Sequence, residues 1–313
     1  MVKTTVDLII GGKPVSISSI ASVSFNDCAG SKSDKVTLKM IPEFPRPAPN
    51  TKLELIFKSY KNDILIEELN CGLFHTQTTS RIDNKILCIS ATGVEFNSKQ
   101  KEKVSHHYKE TKLSNIIDIV SKRLGHETKF KTTDPFVKSL LQTNESDVNF
   151  LERIAKDYNV LFSIKNDIVY FVNKDDENLP ERTIDITKCE KGSPNIKHTT
   201  KTYYSSCECS WHDIDEAKTQ KVVYGDGTPC YKLKGCYKSQ EEAKTKAKAK
   251  LLQMNKGTVK GSFSNRGIKL YAGSKVNIIN TYNGEDDGLY SVESCNHSWT
   301  RSGGWKVSVE IEN

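Results

Sequence analysis

"KVTLKM", residues 35–40, sets Val36, Leu38 and Met40 against Lys35, Thr37 and Lys39. A period of two with polar partners marks a strand that buries one face and wets the other. "KLELIF", residues 52–57, repeats the pattern with Leu53, Leu55 and Phe57. At the far end "GWKVSVEIEN", residues 304–313, places Trp305, Val307, Val309 and Ile311 on one face and Lys306, Ser308 and Glu310 on the other. Turn signals separate the N-terminal runs: "GGKP" at 11–14, "PEFPRPAPN" at 42–50, "YKND" at 60–63 and "RIDNK" at 81–85. Many short strands with regular turns predict an antiparallel barrel or sandwich.

The period changes near residue 99. "TKLSNIIDIVSKRLGHETKF", residues 111–130, carries Leu113, Ile116, Ile117, Val120 and Leu124 at helical spacing, and Gly125 stands where a left-handed residue would stop the helix. "SLLQTNESDVNFLERIAKDYNV", residues 139–160, reads as the end of a lysine-rich loop followed by a second helix, with Val148, Leu151, Ile154, Ala155 and Tyr158 on one side. "VLFSIKNDIVYFVNK", residues 160–174, reads as a hairpin about Asn166-Asp167. Strands return from about residue 177, interrupted by "SQEEAKTKAKAKLLQMNKG" at 239–257. There Ser239 and Glu242 stand in capping-box register, Ala243, Ala247, Leu251 and Met254 make an apolar stripe, and Gly257 can end the helix. No repeat with a period of tens of residues is visible, which excludes solenoids and propellers.

With 313 residues the chain has room for two or three domains. The formal charge of +7 is spread through mixed lysines and acids without a basic block, which favours an acidic partner surface over a dedicated nucleic-acid binder. No apolar run approaches the ~20 residues that span a bilayer, so no membrane insertion is expected. "MVKTTVDLIIGGKPV" is too short in its apolar part for a signal peptide. The expectation is synthesis in the cytoplasm, with the nine cysteines reduced.

Three groups of residues could carry chemistry. Asn144, Glu145, Ser146 and Asp147, with Glu152, resemble an acid/base or metal cluster. The alternative is a helix start, with Ser146 or Asn144 as cap and Asp147 meeting the dipole, and it prevails because no partner base lies at suitable spacing. Cys207, Cys209 and His212, with Cys230 and Cys236, could offer four zinc ligands. They lack a C-x₂-C knuckle, and on a strand Cys207 and Cys209 share a face, so free cysteines are the preferred reading. His106, His107, His126, His198 and His297 form no nucleophile arrangement; His297 is expected to pack or hydrogen-bond in its strand. "GEDDG", 284–288, lacks the rest of a calcium loop, and Gly225-Asp226-Gly227 reads as a turn. No catalytic, cofactor or metal site is therefore expected.

"GIKLYAGSKVNIINTYNGEDDGLYSVESCNHSWTRSGGW", residues 267–305, resembles the closing part of the phage late-control protein D family, the tail baseplate hubs related to the hub half of type VI secretion spike proteins. The resemblance is carried by Gly267, Leu270, Gly273, Val276, Gly288-Leu289-Tyr290, Val292, His297 and Gly303-Gly304, by the alanine-rich helix before them, and by the helices of the middle segment. It implies a mainly β chain, with two tail-tube-like antiparallel β-barrel domains flanking a small α/β domain. The expected division is 1–98, 99–176 and 177–313, the last carrying the helix 239–256. It further implies a structural hub and not an enzyme: a homotrimeric ring joining the tail tube and other baseplate proteins to a separate trimeric spike, at the base of a virion tail assembled in the host cytoplasm. DNA would pass through the lumen. The longer spike proteins differ in carrying a β-helical spike and, in some, a lysozyme-like insert, so the spike is expected on another polypeptide. The rival readings are a tail-associated peptidoglycan-degrading enzyme and a basic nucleic-acid-binding module.

Overall fold

The computed structural model describes residues 2–29, 33–93, 102–173, 179–199, 203–213, 218–237, 239–255 and 258–313. The N-terminal strands are β1 (Val2–Ile10), β2 (Lys13–Pro14), β3 (Ile20–Cys28), β4 (Lys35–Met40), β5 (Lys52–Lys61), β6 (Ile64–Ile82) and β7 (Ile86–Thr92). They pair antiparallel in the order β3-β4-β7-β6-β5-β1-β2. The alternation seen in the sequence is what the sheet uses. Val36, Leu38, Met40, Leu53, Leu55 and Phe57 all point inward and are wholly buried.

The middle segment supplies β8 (Lys103–Lys112), α1 (Leu113–Leu124), β9 (Glu127–Lys131), β10 (Phe136–Ser146), α2 (Asp147–Tyr158), β11 (Val160–Lys165) and β12 (Ile168–Asn173). Gly125 takes the left-handed conformation and ends α1, while Asn166 and Asp167, both at positive φ, turn the β11–β12 hairpin. Both helices pack their apolar stripes into one core with Phe162, Val169 and Phe171 of that hairpin. One expectation needs correction: residues 139–146 are not loop but part of β10, which pairs antiparallel with β8.

The remaining elements are β13 (Glu181–Asp185), β14 (Asn195–His198), β15 (Ser206–Asp213), β16 (Lys218–Gly225), β17 (Cys230–Tyr237), α3 (Gln240–Asn255), β18 (Val259–Arg266), β19 (Lys275–Ile279), β20 (Gly288–Thr300) and β21 (Gly304–Glu312). Strands β14-β18-β21-β20, with β19 paired to β20 and β13 paired in parallel to β19, enclose a second core of Phe263, Val276, Ile278, Val292, Val307, Val309 and Ile311. The helix expected on this barrel lies elsewhere. α3 covers a separate three-stranded sheet, β16-β15-β17, where Ala243, Ala247 and Leu251 meet Cys207, Cys209, Val222 and Tyr224. Alanine's short side chain lets the helix axis approach that sheet closely. Ser239 Oγ accepts from the Glu242 amide at 3.2 Å, as a cap should; Gly257, expected to end the helix, lies outside the described residues.

The two barrels are not consecutive beads. β20 pairs through Gly288–Ser291 with β19, and through Ser294–Thr300 with β3 of the first barrel. Its partner β21 sends Val307, Val309 and Ile311 into the second core and Trp305 into the first, beside Trp299. Thr4 of β1 closes the first barrel against this hairpin: its Oγ1 accepts from the Trp305 amide at 2.8 Å and its carbonyl from Trp299 Nε1 at 3.3 Å. One 13-stranded sheet thus runs through both barrels.

Candidate assembly surface

The α/β insert is fastened to the barrels by polar contacts. Lys165, last residue of β11, lies between Asp27 of β3 and Asp34. Its Nζ donates to Asp27 Oδ1 and stands 3.5 Å from Asp34 Oδ2. Asp27 Oδ2 also accepts from the Ala272 amide at 2.9 Å, and Asp34 Oδ1 from the Cys28 amide at 3.2 Å. Burial raises the Asp34 pKa, Lys165 opposes the rise, and Asp27 adds to it. Burial works against the Lys165 charge too, but the two carboxylates outweigh it and keep the ammonium protonated. Beside this cluster Asn166 Oδ1 accepts from the Leu73 amide at 3.0 Å. A Cβ at Gly72, φ +92°, would stand 2.3 Å from that oxygen, so a side chain there would displace Asn166 from this contact as well as strain the backbone.

Two further ion pairs tie the remaining parts together. Arg182 of β13 holds Glu67 of β6 with two nitrogens, at 2.6 and 3.1 Å, bridging the barrels. Lys246 of α3 reaches Asp157 of α2 at 3.0 Å. At the free end of the β5–β6 hairpin, Ile64 is 69% exposed with Leu65 and Ile66 also exposed, and Val2 joins them through the register Val2–Lys61–Ile64. Apolar side chains gathered at a hairpin tip fit a protein contact better than solvent.

The sequence candidates scatter. Asn144 sits at positive φ in a bulge of β10, its amide donating to Ser105 Oγ at 3.0 Å. Ser146 Oγ accepts from the Asn149 amide at 3.4 Å and caps α2. Asp147 does more than meet the dipole. It is buried against Arg123, with Nε 2.6 Å from Oδ2, and accepts from Gln142 Nε2 at 2.8 Å. Glu145 pairs with Arg153 and Glu152 with Lys156, so the acids face different partners.

Cys207 and Cys209 are buried under α3, where Cys209 Sγ donates to the Ala243 carbonyl at 3.0 Å. Burial pushes the Cys209 thiol up to about 11. Cys230, Cys236 and His212 are exposed. Among the described residues no three His, Cys, Asp or Glu side chains converge as a metal site.

His106 packs on Tyr108, His107 Nε2 meets Ser139 Oγ at 2.8 Å, and His198 Nε2 meets Asp286 Oδ1 at 2.6 Å. His126 is enclosed near Asp167, and burial lowers its pKa. His297 is wholly buried in the first barrel: Nε2 donates to the Leu270 carbonyl at 3.0 Å, and Nδ1 accepts from Trp305 Nε1 at 3.1 Å. Those partners fix one neutral tautomer, with the ring against Phe25 and Phe57. The Gly284–Gly288 turn is closed by Asp287, whose carboxylate accepts from the Asn280 and Thr281 amides. Gly225 and Gly227 turn the chain at positive φ.

The Lys165 cluster and the Arg182–Glu67 pair have no local motif, because their members lie 138 and 115 positions apart. The one legible signal is Asp27, an acid in core register with Val23 and Phe25.

Residues 79–303, well over half of the chain, match the family model of the phage tail baseplate hub (GPD). The chain belongs to the baseplate hub family. It is a structural component of a phage tail. No match was found among curated proteins. Solved structures share the hub fold at low identity. The tail protein from Neisseria meningitidis MC58 is 10% identical with a TM-score of 0.74, covering 99% of this chain and 97% of that one. The 43 kDa tail protein of prophage MuSo2 from Shewanella oneidensis is 13% identical, with a TM-score of 0.69 and 98% of each chain covered. The E. coli c3393 protein, a component of the type VI secretion system, is 10% identical at a TM-score of 0.56, over 97% of this chain and 76% of that one. Among the described residues of the hub, no helix is long and apolar enough to cross a membrane.

Proposed function

We propose that the hub assembles as a homotrimeric ring in which each chain contributes two barrels, joining a tail tube to a separate spike protein. The observation that carries this reading is the shared β20–β21 hairpin, which holds two barrels side by side in one chain. Three copies then present six barrels, a six-fold-like rim for a tube on one side and a three-fold seat for a spike on the other. The division into 1–98, 99–176 and 177–313 stands within this reading as two barrel segments around an insert, with the last hairpin serving both barrels. The exposed tip of β5–β6 is the part of the surface best suited to subunit contact. Isologous or ring contacts of this class bury on the order of 2,000 Å².

The role in this reading is mechanical. Glu145, Asp147 and Glu152 are engaged in ion pairs, and Cys207 and Cys209 are packed under α3 while Cys230 and Cys236 are exposed. The place of action is the virion tail, after synthesis in the host cytoplasm, with DNA crossing the ring lumen. Light scattering of the hub alone and of the hub co-expressed with its spike tests the reading: three hub chains per particle are expected, and a monomer in both preparations would refute it. A cell-wall zymogram of the pure hub should stay blank; a lytic band would favour the rival enzyme.

A further inference from the structure

The surface holds a second feature, a charged groove within one subunit. α2 of the insert, α3 and β17 enclose a groove of about 480 Å³. Its walls carry Arg153, Lys156, Lys234, Lys246 and Lys250 against Glu152 and Asp157, an excess of three positive charges (five minus two). Glu145 pairs with Arg153, Glu152 with Lys156 and Asp157 with Lys246. Among the described residues neither Lys234 nor Lys250 meets a carboxylate; Lys250 Nζ touches Gln253 Oε1 at 3.1 Å and lies over the Tyr231 ring.

Lys246 is the most enclosed of the cations, its side chain 11% exposed and its Nζ 4.1 Å over the Tyr158 ring. Burial pushes its pKa down, and Asp157 holds the charge only in part. An anion placed beside an enclosed ammonium favours its charged form.

We propose that this groove binds an extended acidic segment of a partner protein, with carboxylates at alternate positions. Three observations select that ligand class. Lys246 and Lys250 stand one helical turn apart, about 6 Å, which matches the about 6.8 Å between alternate residues of a strand. The groove floor is apolar and aromatic, from Tyr231, Leu233, Tyr237 and Ala249, so the intervening side chains have a surface to cover. Its β wall, β17, pairs among the described residues only with β15, leaving one edge able to accept main-chain hydrogen bonds. A nucleic-acid duplex suits the site less, because the cations line a cleft with two carboxylates in it and not an open face.

The site lies within one subunit and does not depend on ring formation. The test is fluorescence anisotropy of the full chain with a labelled peptide of about ten residues alternating Glu and Val, compared with its Gln–Val counterpart. The acidic peptide should bind, the Gln peptide should bind at least roughly tenfold more weakly, and the charge reversal K234E/K250E should weaken the acidic peptide to a similar degree. K234Q/K250Q gives the same comparison should the reversal not fold. K244E/K248E, on the exposed outer face of α3, should leave binding unchanged. Equal binding of the two peptides, or an equal loss in the outer-face variant, would overturn the proposal. So would tighter binding of a duplex of about 20 base pairs, lost in the groove variants.

Discussion

Lys165 bears more of the fold than any residue around it, because one ammonium compensates two buried carboxylates. Lys165→Met is expected to destabilise the protein by about 3–5 kcal/mol, the cost of leaving buried charge uncompensated. Adding Asp27→Asn and Asp34→Asn should return much of that loss; urea denaturation of the two variants checks both statements. If the single variant matched wild type, the cluster would have no structural weight.

His297 makes a pH prediction. Burial lowers its pKa from 6.5 to about 4, so the unfolded chain takes up this proton first as the pH falls. Its contribution is complete above about pH 6.5, declines toward pH 4 and totals about 3 kcal/mol. Asp34, with a raised pKa, acts in the opposite sense. The histidine contribution is therefore read from the difference between wild type and His297→Gln, which should shrink steadily from pH 6.5 to pH 4. A constant difference would contradict the assignment of a neutral buried imidazole.

Among the elements, α2 shows how a helix start can imitate a reactive cluster. Ser146→Ala removes the cap and should cost about 1 kcal/mol in chemical denaturation. α3 depends on small residues, and Ala247→Leu should force it off β15–β17 at about 1–3 kcal/mol. An unchanged midpoint in that variant would mean that the helix sits less closely than its buried alanines imply.

These elements were legible to different degrees. The helical stripe of α1 with Gly125, and the Asn166-Asp167 turn, are local signals that the fold keeps without change. β10 was hidden because it belongs to a two-stranded ribbon wet on much of both faces, so Lys138, Ser139 and Leu141 are all exposed and no alternation develops. The seat of α3 was hidden for another reason. Its alanine stripe announces a close sheet contact but not which sheet, and the choice was made by the apolar face of β15, β16 and β17.

At the scale of the molecule, strand patterning gave the mainly β class, and the segment 267–305 carried the resemblance to the hub family that the match over residues 79–303 bears out. What patterning could not give was the partnership of the last hairpin with the first barrel, since β20 finds β3 across more than 260 positions. That pairing explains why a chain of ordinary alternating strands can hold two barrels in a fixed relation, and a fixed pair is what a ring needs. The most direct test is electron microscopy of the hub bound to its spike. The account predicts a closed ring of three chains with six barrels around the lumen. A ring of six chains, or a single chain seated alone on the spike, would contradict it.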